Sequence, residues 1–131
     1  GSVVDLACCI YPTAPFITKR HLDDAFKKIE GRDYVFPVTE YDYPVFRGFY
    51  VSSEDRVSML YPEYYSSRTQ DLKTVYHDAG QFYLGTRDAW LDEKIIFSEN
   101  SATIIMDRSQ VQDIDNMEDW KLAEIIFSKI L

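Results

Sequence analysis

The sequence predicts an α/β fold, on three observations. Val3 to Tyr11 form a near-continuous apolar run interrupted by Asp5, the pattern of a strand covered on both faces. Leu22, Ala25, Phe26 and Ile29 then recur at helical spacing, behind Thr18 as N-cap and ahead of Gly31 as the stop. A second apolar segment, "DYVFPVTEY", completes a strand, helix, strand unit in which the first strand is expected at the centre of a parallel sheet. "PTAP", Pro12 to Pro15, ends that first strand, because two prolines in four residues continue neither a ladder nor a helix. The loop it forms would lie at the carboxyl edge of the sheet, where α/β proteins bind ligands.

From Tyr43 to Arg68 the pattern changes to short aromatic strands, "PVFRGFYV" and "RVSMLY", joined by the polar turn "SSED". This reads as a hairpin inserted into a single domain, with residues 43–68 making a subunit contact, since exposed aromatic edge strands otherwise invite uncontrolled association. "PEYYSSRTQDL" is an irregular connection, and "YHDAGQFYLGT" returns to a strand in which Gly80 marks a bulge or a close approach of ligand to backbone. A short helical turn is expected at Arg87 to Leu91 and a buried strand at "ATIIMD". The last helix is expected from Asn116 to Leu131, with Trp120, Ala123, Ile126, Phe127 and Ile130 on one face.

Composition bounds the function. Fourteen Lys and Arg against 22 Asp and Glu give a formal charge of −8, so the surface repels nucleic acid and anionic membrane. No apolar run approaches the length needed to cross a bilayer. Cys8 and Cys9 are adjacent on a strand and point to opposite faces, which disfavours a disulfide and suggests a reducing, cytoplasmic setting. The 15% aromatic content favours broad contacts with a partner subunit or a ligand. There is no nucleophile elbow, zinc-protease motif, paired C-x-x-C or glycine-rich phosphate loop, so nucleophilic and zinc catalysis have no support in the sequence.

"VQDIDNMEDW" places Asp113 and Asp115 two residues apart, after a strand and before a helix. In extended backbone both carboxylates would project to one side of a sheet edge, a donor pair suited to Mg²⁺. The competing reading makes Asp115 a helix cap, with Glu118 completing a capping box. Arg68 and Gln70 lie in a loop; an Arg fork can hold a sugar carboxylate bidentately, although a solvated role is simpler. His77 beside Asp78 reads as a hydrogen-bonded structural pair rather than a catalytic base.

Taken together and in order, "CCIYPTAPF", "RTQDL", "YHDAGQFY" and "VQDIDNMEDWKLAE" resemble the acylneuraminate cytidylyltransferases, most nearly the pseudaminic acid branch. The resemblance implies a Rossmann-like nucleotidyltransferase core, of which this chain would be a carboxyl-terminal part, and a homodimer formed through the hairpin. It implies a reaction that joins CMP from CTP to a nine-carbon keto sugar acid and releases pyrophosphate. Asp113 and Asp115 would be the catalytic Mg²⁺ ligands, and Tyr11, Thr13, Arg68, Gln70, Gln81 and Tyr83 would contact substrate. The sialic acid branch carries Gln where this chain has Tyr11, and Asn-Gly where it has Ala79-Gly80, which points towards the pseudaminic type of sugar. The family's basic glycine-rich CTP loop has no counterpart in these residues, so the chain alone is expected to be inactive. A rival reading is a non-catalytic dimerisation or sugar-binding module derived from that family. A second rival, a glycosyltransferase using its D-x-D metal site, lacks any basic or glycine-rich diphosphate pocket.

Overall fold

The computed structural model describes residues 3–130, with Ile130 described by its backbone alone. Leu131 and the side chain of Ile130, both assigned above to the last helix, lie outside the described residues. Two compact units emerge, one from residues 3–39 and 78–130, the other from Glu40–His77.

The first unit is built on a mixed sheet. Strand β1 (Leu6–Ile10) is followed by helix α1 (Lys19–Lys28) and strand β2 (Tyr34–Glu40). After β5 (Tyr76–Asp78) come β6 (Phe82–Thr86), α2 (Arg87–Leu91), β7 (Ser101–Ile105) and α3 (Met117–Ile130). β6 lies between β1 and β2 and runs antiparallel to both, with Leu6 opposite Thr86 and Tyr34 opposite Gly85. β7 pairs with β2 in parallel, Tyr34 to Ser101 through Val38 to Ile105. β1, β2 and β7 thus share one direction, and the expected strand, helix, strand crossover is present with a reversed strand set between its two strands.

The position of β1 corrects the sequence expectation. It is an outer strand paired to β6, and Ala7, Cys9 and Ile10 are exposed. An apolar run records that a segment can be buried, but not which strands flank it. β7 is likewise one-sided: Ile104 and Met106 are buried while Ile105 is exposed.

α1 forms where its caps allow. Thr18 Oγ1 accepts from His21 N–H at 3.4 Å, and Thr18 N–H donates to His21 Nδ1 at 3.3 Å, a capping box with His in the place of Glu. Gly31, at φ 71°, provides the left-handed stop. Ala25 and Ile29 pack with Val35, Phe82, Leu84 and Ile104 on one sheet face, whereas Phe26 points outward. Phe36, Val38 and Tyr83 occupy the other face with Trp90 and Ile96. Each large apolar side chain buried here contributes roughly 1.5–3 kcal/mol, and Phe82, Leu84 and Val35 are all at most 1% exposed.

The last helix departs from the expected packing. Ala123 is buried and Ile126 half-buried, but Trp120 and Phe127 are exposed. They line a groove of about 480 Å³ together with Pro12, Thr13, Pro15 and Ile114, so this face meets the PTAP loop rather than the sheet core. The amphipathic pattern identified the face without its neighbour.

In the second unit, β3 (Phe49–Val51) and β4 (Val57–Met59) form the expected hairpin, with Phe49 opposite Met59 and Val51 opposite Val57. Ser52 Oγ accepts from Glu54 N–H at 3.2 Å and Arg56 N–H at 3.3 Å to close the turn, where Asp55 adopts φ 56°. Val45–Arg47, expected as strand, is a single 3₁₀ turn, and Phe46 packs against Tyr61 and Tyr64 at ring-centroid distances of 5.4 and 4.9 Å. Phe49, Tyr50, Val51 and Val57 remain exposed.

Candidate functional site

Three segments of the first unit converge on their chemistry. Between β5 and β6 the chain leaves the regular ladder: Ala79 N–H donates to Pro37 O at 3.0 Å, and Gly80 takes φ 60°, a conformation that side-chain-bearing residues rarely adopt. Asp78 closes this bulge. Its Oδ1 accepts from Gly80 N–H at 3.1 Å and its Oδ2 accepts from the Tyr83 hydroxyl. Gln81 is fully buried, its Nε2 donating to Ala79 O at 3.1 Å, while its Oε1 has no hydrogen-bond partner.

From the PTAP side, the Tyr11 ring lies 5.7 Å from that of Tyr83, and Tyr11 N–H donates to Gln81 O at 2.9 Å. Burial, reinforced by the hydrogen bond to Asp78, pushes the Tyr83 hydroxyl far above the ordinary tyrosine range. It therefore stays protonated and spends its proton on Asp78. Thr13 is half-buried in the wall of the PTAP groove.

The third segment carries the carboxylates. A Cβ placed on Gly80 would stand 3.7 Å from Asp113 Cγ and Oδ1 and 3.8 Å from Oδ2, so the Asp113 carboxylate faces the glycine bulge. Asp113 is exposed, and its Oδ1 accepts from Ile114 N–H at 3.1 Å. The cap of α3 is not Asp115, which corrects the capping-box expectation. Asn116 Oδ1 accepts from Glu118 N–H at 2.8 Å and Asp119 N–H at 3.0 Å, and Asp119 Oδ2 accepts in return from Asn116 N–H and Asp115 N–H, each at 3.1 Å. The box is Asn116 with Asp119, shifted one residue along, and the exposed Asp115 carboxylate is relieved of the capping role.

Two exposed carboxylates separated by one residue, neither used as the cap, are hard oxygen donors that fit an ion which completes its shell with water or phosphate oxygens. Among the described residues no cluster of three or more His, Cys, Asp or Glu could enclose a metal on its own. Tyr11, Gln81 and Tyr83 are thus brought together, Asp113 lies against their bulge, and Thr13 lines the groove that also includes Ile114.

Arg68 and Gln70 belong to the second unit. Arg68 Nε and Nη2 donate to the two Asp71 carboxylate oxygens at 2.8 and 3.3 Å, and Gln70 is exposed on the 3₁₀ turn Thr69–Asp71. The Arg68 fork is occupied by a neighbour on its own turn. Sequence reasoning overlooked Asp78 as the organiser of the bulge; the available signal was an Asp two residues before a glycine at a suspected bulge, the spacing of an Asx-turn.

No family model matches the chain. Against curated proteins it is 42% identical over 129 residues to the pseudaminic acid cytidylyltransferase of Campylobacter jejuni strain 81-176, covering 97% of this chain and 56% of that protein. A second Campylobacter jejuni protein of the same name matches at 41% over the same lengths. The Helicobacter pylori protein named pseudaminic acid cytidylyltransferase and UDP-2,4-diacetamido-2,4,6-trideoxy-beta-L-altropyranose hydrolase matches at 37% over 123 residues, 92% of this chain and 23% of that protein. By sequence, then, the chain is similar to cytidylyltransferases. The relatives it matches are pseudaminic acid cytidylyltransferases, and it spans about half the length of the two Campylobacter proteins.

Proposed function

We propose that this chain supplies the metal-binding and sugar-binding part of a CTP-dependent cytidylyltransferase that activates a nine-carbon keto sugar acid of the pseudaminic type. The observation that carries the proposal is the apposition of Asp113 to the Gly80 bulge, with Tyr11, Gln81 and Tyr83 grouped around that bulge, in a chain 37–42% identical to curated pseudaminic acid cytidylyltransferases. A reversed strand between parallel ones is compatible with a Rossmann-like nucleotidyltransferase core.

In the reaction, the anomeric hydroxyl of the sugar attacks the α-phosphorus of CTP. The new oxygen–phosphorus bond forms as the bond from the α-phosphorus to the oxygen bridging to the β-phosphate breaks, pyrophosphate leaves, and the hydroxyl proton passes to solvent. Asp113 and Asp115 would hold Mg²⁺, whose contribution when bound is neutralisation of charge on the phosphate oxygens. Tyr83, its proton committed to Asp78, offers its oxygen as an acceptor to an O–H or N–H of the sugar. Orientation by these fixed groups lowers the entropic part of the barrier. In the second unit, the Arg68 fork would hold a carboxylate after exchange of its Asp71 partner, with Gln70 on the same turn; in the first unit, Thr13 lines the PTAP groove.

These 131 residues contain no basic glycine-rich phosphate loop, so turnover requires a polypeptide that also supplies one. The exposed aromatic hairpin Phe49–Val51 with Val57–Met59 is the contact through which the homodimer forms. The test is pyrophosphate release from CTP and the sugar acid by a polypeptide carrying this stretch and a phosphate loop. Asp113→Asn is expected to reduce Mg²⁺-dependent turnover by on the order of a hundredfold or more; undiminished Mg²⁺-dependent turnover would reject the metal role.

A further inference from the structure

We propose that Asp78 is a positioning residue that sets where the Asp113 carboxylate stands; the catalytic use of that carboxylate rests on the cytidylyltransferase reading above, whereas the positioning does not. Asp78 is half-buried, and its two carboxylate oxygens serve two separate groups. Oδ1 accepts from Gly80 N–H at 3.1 Å, drawing the chain into the left-handed bulge, while Oδ2 accepts from the hydroxyl of the buried Tyr83. The peptides on either side cannot drift, since Ala79 is 2% and Gln81 0% exposed. Asp113, by contrast, is exposed at the end of an irregular segment, and all three carboxylate atoms face Gly80 within 3.8 Å of a Cβ built there. A half-buried, doubly bonded carboxylate therefore fixes a bare backbone wall against which an exposed carboxylate rests. Glycine suits this wall for its φ of 60° rather than for space, because a methyl group would meet Asp113 only at ordinary contact distance.

This arrangement predicts different outcomes for the two obvious variants. Asp78→Ala removes both anchors. Asp78→Asn keeps an oxygen for Gly80 N–H and offers an amide proton to the Tyr83 oxygen, so it restores the geometry with the charge removed.

The experiment is NMR on the isotope-labelled chain and these two variants, reading the nuclear Overhauser contact between Gly80 Hα and Asp113 Hβ and the exchange of the Gly80 amide. In Asp78→Ala the contact is expected to disappear and Gly80 exchange to accelerate about tenfold or more, while the cross-strand contacts of β1 with β6 persist; Asp78→Asn restores both signals. Retention of the contact and the protection in Asp78→Ala would overturn the proposal, as would their absence from the unsubstituted chain. Loss of the β1 to β6 contacts in both variants would also overturn it, because Asp78 would then be needed for the fold and not for the wall. Mn²⁺ titration of the same samples separates the two readings, with apparent affinity expected to fall about tenfold in Asp78→Ala. If Mn²⁺ leaves Asp113 unbroadened in a chain that shows the expected Asp78 dependence, the metal reading fails and the positioning role stands.

Discussion

Asp113 and Asp115 have the same side chain and almost the same address, and their surroundings divide their possible roles. Asp115 contributes its backbone N–H to Asp119, whereas its carboxylate takes no part in the Asn116 and Asp119 capping box. Replacing Asn116 by Ala is accordingly expected to cost about 1 kcal/mol of unfolding free energy, the usual worth of an N-cap side chain. Asp115→Ala should stay within about 0.5 kcal/mol of the parent, as a surface change does. Urea denaturation of the two variants checks both, and a larger loss in Asp115→Ala would return the cap to that residue. The sequence contained both candidate boxes, one residue apart. Spacing could not choose between them, because the choice depends on the dihedral angles at which the chain enters the helix.

At the scale of elements, β6 is the member on which the first unit depends, since it joins β1 to β2. Gly85 on this strand faces Trp90 and Tyr34. A Cβ there would lie 2.5 Å from Trp90 Nε1 and 2.7 Å from Tyr34 Cδ1, and both side chains are themselves anchored, Trp90 Nε1 donating to Ala7 O at 3.0 Å and the Tyr34 hydroxyl to Ala89 O at 2.7 Å. Gly85→Ala is expected to destabilise by about 1–3 kcal/mol, as overpacking does, and a urea midpoint equal to that of the parent would contradict this packing. Asp33, at the entry to β2, accepts from Lys94 Nζ at 2.8 Å and Asn100 Nδ2 at 2.7 Å, which holds its carboxyl below the ordinary value. A carboxyl with a lowered folded-state pKa adds stability above its unfolded value, here near the ordinary 3.8, and loses that contribution as pH falls through the folded-state value. The acid limb of the stability curve should therefore flatten in Asp33→Asn relative to the parent, measured by thermal melts from neutral pH downward. Identical acid limbs would remove the Asp33 cluster from the account. The identities and order of these elements were largely legible in the sequence, from Thr18 as cap to Gly31 as stop. The neighbours of β1 and α3 were not, because apolar periodicity marks a face that can be buried and carries no information about what covers it.

For the molecule as a whole, composition and motif order were informative at different depths. The charge of −8 disfavours polyanionic partners, and among the described residues no helix is long and apolar enough to cross a membrane. The ordered set of four short motifs resembled the cytidylyltransferases, and identities of 37–42% over nearly all of the chain bear that resemblance out. The site was legible as residue types but not as an arrangement: the facing of Asp113 on Gly80 joins positions 33 residues apart in sequence, and only the folded bulge creates it. Arg68, read from the sequence as a possible carboxylate clamp, donates to Asp71 within its own turn, a pairing that a clamp would exchange for its ligand. Mn²⁺ added to the ¹⁵N-labelled chain, followed by residue-specific line broadening, locates the metal. Broadening centred on Asp113, Asp115 and Gly80, and abolished by replacing both aspartates with Asn, is the predicted result. Broadening centred elsewhere, or unchanged in the doubly substituted chain, would contradict a metal site between the glycine bulge and the last helix.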